Sequence, residues 1–343
     1  MKQKKFKFSG DLLTFILVAA VYAVVAYLLY GGSLTRQFSN MIIPISVYIV
    51  LAVSLNLVVG LLGELSLGHA GFMSVGLFSG CLLSIALVDV LPMAVRLPLS
   101  MVIGGLVAAL FGLAVGLPAL RLKGDYLAIV TLAFGEIIKE LVTCLIVGHD
   151  ENGLHILFNL TGNKTVEDLG LSDTGIAIIK GAQGTASVKT IASFTAGFIL
   201  VMVTLFIVLN LKHSRAGRAI MALRDNRIAT SSIGINTTKY KLMAFVTSAA
   251  LAGAAGALYG LNYSSLQAAK FNFNTSILVL VFVVLGGLGN IWGSLVAAAA
   301  LTILPEALRE FADYRMLVYA IVLILVMLAT NNPTLKSFFA RLK

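Results

Sequence analysis

Apolar residues gather in long runs along this chain, and polar residues fall mainly between them. A helix that crosses lipid needs about 17–25 consecutive apolar residues. Such runs stand at about 12–30, 41–62, 65–87, 98–120, 126–148, 193–211 and 242–262, with a longer one at 275–308 and a last one at about 316–331. The run 275–308 is too long for one upright helix, and Gly286, Gly287, Gly289 and Asn290 interrupt it. It therefore reads as two short or half helices. The pattern predicts an all-α, polytopic integral membrane protein with about ten transmembrane or half-membrane helices in a single transmembrane domain over residues 1–343.

Composition supports lipid as the solvent. The chain is 59% hydrophobic and 12% charged, against about 25% charged in ordinary soluble domains. The 32 glycines include pairs four apart, Gly76/Gly80, Gly112/Gly116, Gly256/Gly260 and Gly289/Gly293, a spacing that lets helices approach closely within one chain. Cys81 and Cys144 lie inside apolar runs and form neither a disulfide framework nor a metal motif; no metal site and no catalytic residue is expected.

The charges set an orientation. With the N-terminus (Lys2, Lys4, Lys5, Lys7) in the cytoplasm, successive spans alternate sides, and sixteen of the 25 Lys and Arg fall on inside segments against eight outside. Positive residues collect on the cytoplasmic face. Lys336, Arg341 and Lys343 put the C-terminus inside as well, which requires an even number of spans and so favours splitting 275–308. The net charge of +10 is thus accounted for by topology and contact with membrane lipid, with no nucleic acid implied. The first run is longer than the apolar core of a signal peptide and reads as an uncleaved helix. The polar stretch 149–192 becomes an outer loop, a candidate lid or docking surface.

The largest inside segment, 212–241, is strongly basic, with Asp225 its one acid. Arg218–Arg227 holds good helix formers without glycine or proline, and Ala219, Ala222 and Leu223 make a small apolar stripe suited to a groove on a partner. A basic loop that only fixes topology is the plain alternative. Within the spans, Glu136 and Lys139 stand three apart and can pair on one helix face, with Glu140 beside them. Glu64 and His69 flank a glycine-interrupted turn, Gly63–Gly71, where freed backbone can line a polar path; a hinge or a proton relay are the other readings. Residues 58–64 and 284–290 echo one another at four of seven positions, as related halves of a transporter would.

Four stretches in order carry a resemblance. They are Leu55–Gly60 with Gly63–Ala70, Arg121–Leu132 extended by Phe134–Ile138, the G-R-A-x-x-A-x-R-x-N run at Gly217–Asn226 followed by Gly234, and Leu285–Gly293. Together they resemble the permease subunits of ABC importers for branched-chain amino acids, of the leucine/isoleucine/valine M type. The polar loop 149–192 departs from that pattern. The resemblance implies a cytoplasmic coupling loop at 212–241, with Gly217, Arg218, Ala219, Ala222, Arg224, Asn226 and Gly234 meeting an ATPase. The glycine-broken stretches give a candidate translocation path near Gly63, Glu64, Ser66, Gly68, His69, Gly286, Gly287, Gly289 and Asn290. Two ATP-binding subunits, a second homologous permease and an extracytoplasmic substrate-binding protein would be partners, in a bacterial cytoplasmic (inner) membrane. The chain has no G-x-x-x-x-G-K-[ST] run, so ATP and Mg would be used by those partner subunits and no cofactor is expected on this chain. Urea, short amides or another amino acid are alternative cargoes. An ion-coupled carrier using Glu64 or Glu136 is the rival mechanism.

Overall fold

The computed structural model describes residues 8–32, 35–88, 90–122, 125–150, 153–159, 164–171, 175–185 and 188–308, with isolated positions between 314 and 324. Eleven helices lie among these residues, α1 (Phe8–Tyr30), α2 (Arg36–Asn56), α3 (His69–Ala86), α4 (Met93–Ala119), α5 (Asp125–Thr143), α6 (Phe194–His213), α7 (Arg215–Asp225), α8 (Arg227–Ser232), α9 (Thr237–Gly260), α10 (Phe273–Gly286) and α11 (Ile291–Ala307). Seven of the described helices are long and apolar enough to cross a membrane. The chain is a polytopic helical membrane protein. Of the expected last span at 316–331, only Leu317, Ala320, Ile321 and Ile324 are described; the basic stretches at both ends lie outside the described residues.

The ambiguous run 275–308 is two helices, α10 and α11, joined by a turn at residues 287–290. Asn290 caps α11 by accepting the Gly293 amide, and Asn272 caps α10 by accepting that of Thr275. The span expected at 126–148 is shorter. α5 stops at Thr143, and residues 145–150 turn into a strand. The loop between α5 and α6 holds a small antiparallel sheet that the apolar pattern did not foretell, with β1 (Leu145–Asp150) between β2 (Gly153–Phe158) and β3 (Ile176–Lys180). The loop is sewn to the bundle where Thr185 and Leu266 exchange hydrogen bonds, 2.9 Å from the Thr185 amide and 3.0 Å back to its hydroxyl.

α9 is the centre of the bundle, packed along both α3 and α4. In lipid, helix association depends on close packing rather than on removing apolar surface from water. The glycine pairs provide that closeness inside the chain. A Cβ on Gly76 would strike the Gly253 backbone, one on Gly256 the carbonyl of Met73, and one on Gly112 the methyl of Ala249. α1 stands apart. None of its apolar stretch is buried, and it meets α6 mainly by stacking Tyr22 on Phe194 and Phe198, centroids 4.8 and 4.0 Å apart.

Candidate coupling and translocation site

α2 does not run straight into α3. After Asn56 the chain widens into a buried π-helical turn at Leu57–Leu62, then passes through Gly63 in the left-handed region (φ +78) and five irregular residues before α3 begins at His69. Single π turns inside helices recur at functional positions. The second break, at 287–290, lies against the first. A Cβ on Gly60 would collide with the Gly289 amide nitrogen, so the two backbones touch. The sequence echo is therefore structural. Gly63 and Gly289 occupy matching positions in it, and both are left-handed, φ +78 and +80.

Asn56 joins the two breaks. Its side-chain nitrogen donates to Ser294 Oγ (2.9 Å) on α11, and its oxygen accepts the Gly289 amide (2.9 Å). A fully buried amide with both ends satisfied holds a fixed geometry. Close by, Ser54 Oγ lies 2.9 Å from His69 Nε2, and Ser248 on α9 donates to the Ser54 carbonyl (2.6 Å). The start of α3 is held from two sides, Leu67 N donating to Thr131 Oγ1 (3.0 Å) on α5 and Ala70 N to Ser276 Oγ (3.1 Å) on α10. Ser66 and His69 are buried in this layer.

The basic segment 212–241 reaches the same place. Ser214 caps α7 by accepting the Gly217 amide (3.0 Å), and Gly217 has no room for a side chain because Leu211 O sits where its Cβ would be. The helix starts at Arg215 and breaks at Asn226, whose backbone is extended and whose side chain accepts Ala229 N (3.0 Å) to start α8. Thr230 ties α8 back to the Ala222 carbonyl (2.9 Å), and Gly234 ends the elbow at φ +83. Arg218 donates to the His213 carbonyl (3.0 Å). Arg224 turns inward. Its Nη1 donates to the Gly60 carbonyl (2.8 Å), its stem fills the space beside Gly63, and the same nitrogen would lie 3.5 Å from a Cβ on Gly289. One guanidinium thus touches both breaks.

The apolar stripe on α7 also points inward. Ala219 and Leu223 are buried in the chain's own bundle and Ala222 is half-buried. The large apolar residues left in the open are Ile228 on α8 (79% exposed) and Ile233 just after it (74%). Sequence periodicity found the stripe but could not say which side it faces.

Glu64 and Glu136, the two carboxylates an ion-coupled carrier would use, are each paired. Glu64 meets Lys241, on the first turns of α9, and the pair is almost wholly buried. Glu136 pairs with Lys139 as its spacing predicts, Lys139 reaches Glu140 as well (3.3 Å), and the second Glu136 oxygen accepts the Phe273 amide (3.1 Å) at the start of α10. Sequence reasoning named Glu64, His69, Gly286, Gly287 and Asn290, all of which lie in or beside the breaks. It missed Asn56, Ser294, Ser54 and Lys241. The available signal was Asn56 itself, an amide in the middle of an apolar run and one turn before a glycine. No group of residues able to hold a metal ion occurs among the described residues.

Residues 37–327 match the family described as the branched-chain amino acid transport system permease component. Relatives include the high-affinity branched-chain amino acid transport system permease proteins LivM of Salmonella typhimurium and of Escherichia coli, each 37% identical over 82% of this chain. Those matches span 66% of each relative's length, so this chain covers just under two thirds of them. LivH of Escherichia coli is 27% identical over 85% of this chain and 92% of its own. No solved structure matches. A helical bundle with two touching breaks, together with the match over residues 37–327, establishes that the chain belongs to the branched-chain amino acid transport system permease family.

Proposed function

We propose that this chain is the membrane-spanning subunit of an ATP-driven importer for branched-chain amino acids. It works in a bacterial inner membrane with both termini cytoplasmic. Two ATP-hydrolysing subunits, a second homologous permease and an extracytoplasmic binding protein complete the assembly. The observation that carries the reading is Arg224. An element on the cytoplasmic face donates straight into the carbonyl of Gly60, at the contact between the two helix breaks. A movement imposed on α7 and α8 from below is then transmitted to Gly60, and through Asn56 to Gly289 and Ser294.

In this mechanism the chain performs no chemistry. The ATPases grip the α7–α8 elbow, with Ile228 and Ile233 as apolar knobs in a basic rim that includes Arg215, Arg218 and Arg227. Their closure shifts the elbow, the breaks re-pack, and the bundle alternates between outward and inward openings. The outer sheet faces the binding protein. An ion-coupled carrier would need Glu64 or Glu136 free to titrate; each is instead closed by a lysine, which supports external ATP as the energy source.

Co-purification tests the assembly. The tagged chain expressed from its own operon is expected to bring two P-loop ATPases and a second permease, and Ile228→Asp to lose the ATPases while the chain still inserts. Recovery of this chain alone, with leucine uptake that follows an ion gradient and ignores ATP, would overturn the reading.

A further inference from the structure

Lys270 places its charge against aromatic rings rather than an acid. It ends the short helical turn Ala268–Lys270 in the segment joining α9 to α10, and that turn packs on α5. The acids of α5 on that side, Glu136 and Glu140, both pair with Lys139, and among the described residues no carboxylate pairs with Lys270. The residue is exposed, and its head is turned back onto the bundle. Nζ donates to the Tyr259 hydroxyl (2.6 Å) and lies 5.0 Å from the Tyr259 ring centre and 5.4 Å from that of Tyr263. Tyr259 is buried and meets Tyr48 of α2 edge-on. The ammonium therefore sits on a wall of aromatic rings where α2, α9 and α10 converge, held by one neutral acceptor.

An ammonium has three donors, and the phenol uses one. Aromatic faces attract the cation without neutralising it. The remaining donors suit a small carboxylate, and the rings beside them suit an aliphatic side chain. We propose that Lys270, with Tyr259 and Tyr263, forms an entry subsite that receives the carboxylate of an aliphatic α-amino acid at the outer end of the bundle. This rests on the importer reading above. A lysine serving to dock the binding protein would extend outward; this one is folded against a buried phenol.

The test uses the complete transporter in proteoliposomes, with its ATPases and leucine-loaded binding protein titrated to saturation. Lys270→Met is expected to lower maximal leucine uptake by about 10-fold or more, the loss of one charge-assisted hydrogen bond. Half-saturation by the binding protein should stay within about twofold, and Lys270→Arg should recover most of the rate, because it restores the donors. A rise in half-saturating binding protein with full maximal uptake would make Lys270 a docking cation and overturn the subsite. Unchanged kinetics in Lys270→Met would reduce it to ring packing and overturn it equally. Absence of ATP-dependent uptake by the unmodified transporter would instead defeat the importer reading, which separates the two failures.

Discussion

The two helix breaks share a glycine pattern but are held in different ways. The break after α2 is wound into a buried π turn and fixed from α7 by Arg224 and from α9 by Lys241 through Glu64. At the break between α10 and α11 the described side-chain hydrogen bonds are those of Asn56 to Gly289 N and Ser294 Oγ, of Asn290 to Gly293 N, and of Ser294 Oγ to the Asn290 carbonyl. The first break takes a hydrogen bond from the α7–α8 elbow at Gly60. The second lies near the same guanidinium but takes its hydrogen bonds across the chain from Asn56. The difference gives an order of events, in which the elbow moves the α2 break and the α10–α11 turn follows through Asn56.

The largest perturbation of that scheme is Lys241→Met, which leaves Glu64 buried without its partner, a cost of about 3–5 kcal/mol. We expect poor folding and little uptake, checked by yield after detergent extraction, and recovery when Glu64→Gln is added. Asn56→Leu comes next. It strips Gly289 N of its acceptor, about 1–3 kcal/mol for the unsatisfied group, and removes the hydrogen bond that Ser294 Oγ accepts while leaving the one it donates to the Asn290 carbonyl. The protein should assemble with its ATPases yet hydrolyse ATP with little uptake, because only the second break is disconnected. Gly60→Ala forces the two breaks apart and should cost about 1–3 kcal/mol by overpacking, read as a lowered melting temperature with transport impaired. Gly234→Ala is the mildest. It strains a left-handed residue in open space by about 1 kcal/mol, with a small drop in ATPase affinity measured by titration.

How much of this was legible in the sequence follows from what each signal depends on. Span positions depend on apolar run length alone, and among the described residues the reading placed most of them closely, including the division of 275–308; the run 126–148 is the exception, ending at Thr143 in a helix outside the seven long and apolar enough to cross a membrane. The glycine echo at 58–64 and 284–290 pointed to both breaks because a left-handed backbone leaves a residue-type signature. Contacts between distant segments leave none. Nothing local to Arg224 says that it reaches Gly60, 164 positions away in sequence, and nothing local to Lys241 names Glu64. The direction of the α7 stripe was hidden for a similar reason, since periodicity defines a face but not its neighbour. The three-stranded sheet was missed because Leu145–Gly148 continues the apolar run of α5, and a short apolar run fits strand and helix alike.

The central claim is that Arg224 carries the motion of the elbow to the breaks. The most direct measurement is leucine uptake per ATP hydrolysed in proteoliposomes for Arg224→Met against the unmodified chain, with ATPase association measured alongside. The account predicts that the ATPases stay bound and ATP is hydrolysed while uptake per ATP falls about 10-fold, as expected for losing a coupling of 1–2 kcal/mol. Unchanged uptake per ATP in a variant that no longer touches Gly60 would contradict it.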